Sequence, residues 1–255
     1  MGRLVADERA LALMDAPFRL IGSPRFGGIL VVSDHASNHV PADIELGIDP
    51  ALLDLHIASD IGVRQVGELM AQRPGIAAFQ CEVSRLVCDV NREEHAPGVV
   101  PIASDGHAIP GNALDHAGQE ARRQRFFHPY HAALAALLED VPQALILSLH
   151  SFTPSLASHP DEQRPWQVGV LYNEDNRAAR LAIPMLEAEG LTVGDQQPYS
   201  GRLLNYTMNR HAEVDGRPYL GIEVRQDEID TPAGQARWAE RLARIANQVA
   251  VAFVA

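Results

Sequence analysis

At 255 residues and a formal net charge of −12, the chain is long enough to bury a substantial core and too acidic for a general nucleic-acid surface. Hydrophobic residues make up 46% of it, which is ordinary for a folded protein, and no low-complexity tract suggests extended disorder. Its 21 basic residues are all arginine, which excludes a lysine Schiff base, a P-loop lysine and a Ser-Lys dyad.

In chain order, the amino-terminal MGRLVADERALALMDAP lacks the apolar run of a signal peptide. Gly28 to Ser33 (GILVVS) is a β-branched run that stops at a polar cluster, the pattern of a buried strand feeding a site loop. Residues 51–72 read as a helix, and 78–90 as a buried strand. A Gly/Pro/Asp/His-rich loop follows over 95–116, long enough to have a role over a site. Residues 118–139 read as a helix with Phe127, Tyr130, Leu134, Leu137 and Leu138 on one face, and Pro129 either starts a new helix there or kinks this one. Ala144 to Leu149 is the clearest central strand and ends directly on His150. Residues 167–172 form another strand, followed by a helix over 175–190 that stops at Gly190. Tyr219 to Arg225 is an apolar strand carrying one acid, and the last helix, 232–253, has Leu242, Ile245, Ala246, Val249 and Phe253 on one face. Strands alternating with helices predict one domain over residues 1–255, a three-layer α/β/α with a mixed, mostly parallel central sheet.

Cys81 and Cys88 are the only cysteines, form no metal or redox motif, and read as small buried hydrophobes in a reducing compartment. No stretch reaches the roughly 18 to 20 apolar residues of a membrane span. The expected location is therefore cytoplasmic, with neither membrane nor nucleic acid among the partners. Composition leaves the oligomeric state open.

Polar residues recur at the ends of the apolar strands: Asp34 and His35, Asn91 and Arg92, His150, and Glu223. Sites in open α/β sheets form outside the strand carboxyl ends, so this recurrence predicts a site there. Within Ser84 to Arg92, Arg85 and Arg92 are fixed forks of donors that match a carboxylate or an oxyanion, with Asp89 able to orient one of them. Taken alone, the segment fits an anion clamp or a structural ion-pair network equally well. His35 and His150 are the best metal-ligand candidates, with an oxygen ligand added. His39 is weaker, because Pro41 disfavours a helix there. Asp60 either caps a helix or joins a metal site. His131, on its helix, has a core or cap role ahead of a supporting one at the site. The absence of a G-x-S-x-G elbow argues against a Ser-His-Asp hydrolase.

Four segments together resemble the N-formylglutamate amidohydrolases, relatives of the zinc carboxypeptidases and of aspartoacylase. They are Val32 to Pro41 (VSDHASNHVP), Ser84 to Arg92 (SRLVCDVNR), Ser148 to Pro154 (SLHSFTP) and Gly221 to Asp227 (GIEVRQD). His128 to His131 and Tyr199 to Gly201 add weaker matches. The resemblance implies a zinc-carboxypeptidase-like fold with His35 and His150 as Zn²⁺ ligands, another divalent metal being the alternative. It places Asn38 where the carboxypeptidases carry a glutamate ligand. An amide oxygen is a poorer ligand, so a further acid, Asp60 or Asp34, is expected to complete the shell. It further implies that Asn91 and Arg92 grip a substrate α-carboxylate, with Asp89 as a brace. Arg85 would stabilise an oxyanion and Glu223 would activate the metal-bound water. The function implied is zinc-dependent removal of an N-formyl or other short N-acyl group from an acidic amino acid such as N-formylglutamate. Hydrolysis of another N-acyl amino acid and a non-catalytic carboxylate-binding relative are the competing expectations.

Overall fold

The computed structural model describes residues 16–254, so most of the amino-terminal stretch behind the location expectation lies outside them. In chain order the elements are β1 (Phe18–Ile21), β2 (Ile29–Ser33), α1 (Val63–Ala71), β3 (Ile76–Cys81), β4 (Ala103–Ser104), β5 (His107–Ala108) and α2 (His116–Arg122). They continue with α3 (His128–Asp140), β6 (Leu145–Phe152), β7 (Val168–Leu171), α4 (Arg177–Glu187), β8 (Val193–Asp195), α5 (Tyr206–Met208), β9 (Tyr219–Arg225) and α6 (Pro232–Val254). Seven strands form one sheet in the order β1-β3-β2-β6-β9-β7-β8. Only the β1–β3 and β7–β9 pairs are antiparallel. The expected mixed, mostly parallel sheet is therefore observed.

Every residue of β2, β3 and β6 is buried, as strands covered on both faces must be. Side chains alternate between faces along a strand. Ile29, Val31, Leu145, Leu147, Leu149, Ile222 and Val224 share one core with Val66 and Met70 of α1, Leu186 of α4, and Leu242, Ile245 and Val249 of α6. Leu30, Val32, Ile146 and Tyr219 face the other core, with Phe126, Phe127, Tyr130 and Leu134. Continued at period two, that second set runs Leu30, Val32, Asp34; then Ile146, Ser148, His150; then Tyr219, Gly221, Glu223. The register pairs Val32 with Ser148, Ser148 with Gly221, and His150 with Glu223. Three adjacent parallel strands thus turn from apolar to ionisable at one level and on one face.

Four local readings are corrected. Residues 51–72 are not one helix: a 3-10 turn covers Pro50–Asp54, and α1 begins only at Val63. Gly62 breaks the run with φ 79°, and it lies so close to Ile229 that a Cβ would stand 2.1 Å from that carbonyl oxygen. Leu86, Val87, Cys88 and Val90 are buried as expected, but residues 84–92 are not a strand. Val87 and Cys88 donate back to Ser84 O, and Asp89 Oδ1 accepts from Asn91 N at 3.0 Å, so local bonds close turns instead. The helix over 118–139 is two helices joined by a π turn at Arg123–Phe127, with Pro129 in the first turn of α3, where its missing N–H costs nothing. The loop over 95–116 contains the β4–β5 hairpin, turned by Asp105 (φ 41°) and Gly106 (φ 83°). Edge strands β1 and β8 were not expected. Cys81 and Cys88 are buried free thiols. No helix among the described residues is long and apolar enough to cross a membrane.

Gly62→Ala combines a left-handed backbone with a backbone clash and is expected to destabilise the chain by about 1–3 kcal/mol. Chemical denaturation measures it; an unchanged midpoint would show that the Asp60–Gly62 turn relaxes freely.

Candidate active site

Three carboxylates and two imidazoles alternate at one edge of the sheet, Asp34, His35 and His150 from the strand ends and Asp60 and Asp89 from the loops beside them. Asp89 Oδ1 lies 2.7 Å from His35 Nε2, and Asp60 Oδ2 lies 3.5 Å from His35 Nδ1 and 2.9 Å from His150 Nδ1. His150 Nε2 lies 3.2 Å from Asp34 Oδ2. The sequence of contacts is therefore Asp89, His35, Asp60, His150, Asp34, and all five side chains are buried. The other oxygen of Asp34 accepts from Tyr130 Oη at 2.8 Å.

Burial opposes charge on every member, and mutual pairing outweighs it. Asp89 is held well below the usual carboxylate range by His35 and Arg85, against its burial. Burial likewise opposes the charge of His150, but Asp34 and Asp60 hold its pKa well above the ordinary imidazole value. Each imidazole turns Nε2 outward to an acid and Nδ1 inward to Asp60. With their pKa values raised, both rings are protonated in the metal-free chain and turn an N–H toward Asp60. Loss of those protons would leave two Nδ1 lone pairs and a carboxylate facing one another, three donors for one cation. One atom each from His35, Asp60 and His150 lies within 4.8 Å of the others, and these are the nitrogen and oxygen donors that suit a borderline ion such as Zn²⁺. Asp89 and Asp34 then stand where orienting acids stand behind metal-ligating histidines.

This group forms one wall of a cavity of about 140 Å³, lined also by His56, Arg85, Asn91, Arg92, Ser151, Phe152, Thr153, Tyr199, Leu204 and Glu223. Arg85 donates to Asp89 Oδ2 (3.0 Å) and to Asp60 Oδ1 (3.4 Å), and Arg92 Nε donates to Asp89 Oδ2 (3.4 Å). Among the described residues, these contacts leave the two terminal nitrogens of Arg92 free of protein partners. Glu223, opposite His150 in the sheet, has a buried Oε2 with no hydrogen-bond partner among the described residues. Burial pushes its carboxyl up to about 7, with His150 pulling against that shift.

Seven of the expected residues therefore share one cavity: His35, Asp60, Arg85, Asn91, Arg92, His150 and Glu223. Asp89 lies directly behind them and meets four of them, His35, Arg85, Asn91 N and Arg92. Asn38 does not join them. It is exposed, and its Nδ2 donates to Leu53 O at 3.0 Å. The chain from His35 to Pro41 is not helical, so a spacing of three does not bring residues 35 and 38 onto one face. Asp60 supplies the acid instead, and its side chain makes no helix cap. His131 is outside the cavity: its Nε2 meets Val90 O (2.9 Å) and its Nδ1 meets His211 Nε2 (2.9 Å). Burial pushes its pKa down to about 3, which fits a neutral prop beneath the Asn91 segment.

His56 was passed over. Its Nε2 lies 3.2 Å from Asp105 Oδ2, off the line of a good hydrogen bond. Asp105, at the hairpin turn, accepts from Ala157 N, Ser158 N and Ser158 Oγ, so it staples the hairpin to the loop after β6. Tyr199, whose Oη accepts from Arg164 at 3.0 Å, carried only a weak family match.

A family model described as N-formylglutamate amidohydrolase matches residues 27–229, which include all four motif segments. The crystal structure of gene product Atu2144 from Agrobacterium tumefaciens superposes with a TM-score of 0.88 at 28% identity, covering 94% of this chain and 97% of that one. The N-formylglutamate amidohydrolase from Ralstonia eutropha JMP134 superposes with a TM-score of 0.70 at 21% identity, covering 92% and 97%. The comparison with curated proteins finds no match.

Asp89 accepts from four groups, so Asp89→Ala leaves Arg85 and His35 without their shared anion. The expected loss is about 3 kcal/mol of stability. Equilibrium denaturation of the metal-free chain checks it, and a loss below about 0.5 kcal/mol would show that Asp60 alone satisfies both cations.

Proposed function

Because the chain belongs to the N-formylglutamate amidohydrolase family, we propose that it is a zinc-dependent amidohydrolase that removes an N-formyl group from an acidic amino acid, N-formylglutamate first. The observation that supports this most is the convergence of His35, Asp60 and His150 beside the unpartnered carboxylate of Glu223 in one small cavity. The Ralstonia structure of that name has the same fold over nearly its whole length.

His35 Nδ1, Asp60 and His150 Nδ1 would hold the ion. When bound, a Zn²⁺ ion polarises the amide carbonyl and lowers the pKa of its water toward neutrality. Glu223 takes the proton of the attacking water on its carboxylate and delivers it to the departing amine nitrogen. Its buried site makes it basic enough to accept that proton near neutral pH. Arg85, braced by Asp60 and Asp89, offers its remaining N–H groups to the tetrahedral oxyanion, where charge develops only in the transition state. Arg92 presents its free fork and Asn91 its amide NH₂ to the substrate α-carboxylate, which fixes the acyl carbon against the water.

A panel of N-formyl and N-acetyl amino acids, assayed with and without Zn²⁺, tests the reading. Turnover of N-formylglutamate that is lost on chelation and restored by Zn²⁺ is expected; no turnover under any metal loading would refute it. Glu223→Gln should lower kcat by about 10²- to 10⁴-fold with substrate affinity retained, and unaltered turnover would remove Glu223 from the mechanism. The acid limb of kcat/KM should lie at or below pH 7, because Glu223 acts only when ionised and a bound dication lowers its pKa. Arg92→Ala should weaken carboxylate substrates by about 2 kcal/mol, the low end for a charge pair because Arg92 is partly exposed. An equal loss for an amide-capped substrate would refute the grip.

A further inference from the structure

Thr207 is completely buried in α5, and no motif singles it out. Its two polar groups serve two different parts of the cavity wall. The side-chain Oγ1 donates to Asp34 Oδ1 at 2.8 Å, and the backbone N–H donates to Asn91 Oδ1 at 2.9 Å.

Each bond decides which atom its acceptor has left to offer. Asp34 Oδ1 takes both Thr207 and Tyr130, so Oδ2 is the oxygen that meets His150 Nε2. Asn91 Oδ1 is occupied, so its NH₂ is the end left for a ligand beside Arg92. Both contacts are possible because of where Thr207 sits in α5. An amide in the first turn has no intrahelical acceptor and is free to bond outside. A helical threonine hydroxyl commonly bonds back to the preceding turn; here it crosses to Asp34, which lies 173 positions away in the chain.

We infer that Thr207 is a positioning residue: its hydroxyl and its amide together hold the acid behind His150 and the amide beside Arg92 in one fixed register. The metal-holding and carboxylate-holding halves of the cavity then keep a constant separation, which a short N-acyl amino acid must span. The inference rests on the metal and grip roles proposed above. Loss of an orienting partner behind a metal-ligating histidine lowers metal affinity by about 10- to 100-fold.

Thr207→Val keeps the shape and the backbone N–H and removes only the hydroxyl, whereas Thr207→Ser keeps the hydroxyl. For wild type and both variants, the Zn²⁺ dissociation constant is measured by chelator competition. The kcat and KM for N-formylglutamate are measured alongside, with melting midpoints in chelator and in Zn²⁺. Thr207→Val should bind Zn²⁺ about 10- to 100-fold more weakly, with a correspondingly smaller Zn²⁺-induced rise in midpoint. Its kcat should fall while KM holds within about threefold, because the amide still holds Asn91. Thr207→Ser should recover the Zn²⁺ affinity. Thr207→Ala, too small to clash, replaces the valine variant if that one does not fold. Wild-type Zn²⁺ affinity in Thr207→Val, or a serine variant as weak as valine, overturns the inference alone. Wild-type protein that binds no Zn²⁺ overturns it together with the metal reading.

Discussion

The structure around the cavity depends on one electrostatic constraint: Asp34, Asp60 and Asp89 are buried together and must each be neutralised from within. A buried carboxylate without a partner costs several kcal/mol, and three side by side would cost more than a domain of this size can spare. The chain meets the constraint by alternating acids with His35 and His150 and by adding Arg85 and Arg92 on the open side. Pairing with the acids favours both imidazoles protonated, so two imidazolium and two guanidinium groups face Asp34, Asp60, Asp89 and Glu223. A dication bound among His35 Nδ1, Asp60 and His150 Nδ1 would replace the two imidazole protons at the same net charge.

That arrangement can be built only where apolar strands end. Inside the sheet, Leu30, Val32, Ile146 and Tyr219 pack against α3 and its neighbours, and a charge among them would have no partner. Two to four residues further on, the same face of the same three strands reaches the site, and the sequence changes to Asp34, His150 and Glu223. The loop 82–100 and the turns 55–62 then add Arg85, Asp89, Asn91, Arg92, His56 and Asp60 from the sides. Strands contribute the residues that need a fixed separation; loops contribute those that need to wrap around a ligand.

This division also decides what could be read from the sequence. The continuous apolar runs made β2, β6 and β9 legible, and with them His35, His150 and Glu223. The Ser84 to Arg92 segment was legible as a site but not as a conformation. Its hydrophobes are buried as in a strand, yet Ser84, Asp89 and Asn91 close turns through side-chain bonds that a hydrophobic pattern does not register. Thr207, His56 and Tyr199 were illegible for a different reason. Each acts through a partner 35 to 173 positions away, and nothing local distinguishes such a residue from an ordinary core or loop position. Edge strands β1 and β8, at four and three residues, are too short to show a period.

Asn38 shows how a motif position can keep its place and change its work. Read by spacing, it stands in for a ligand that an amide replaces poorly. In the fold, its Nδ2 donates to Leu53 O, on the 3-10 turn that leads into His56 and Asp60. A carboxylate at position 38 could not donate to that carbonyl. A single exposed hydrogen bond contributes only about 1 kcal/mol to stability, but here it ties down the entry to the turn that delivers the acid. Asp60 carries the charge, and Asn38 helps hold the segment that presents it. Asn38 therefore takes no part in the cluster: the carboxylate between His35 and His150 comes from Asp60, which the fold brings in from a separate turn.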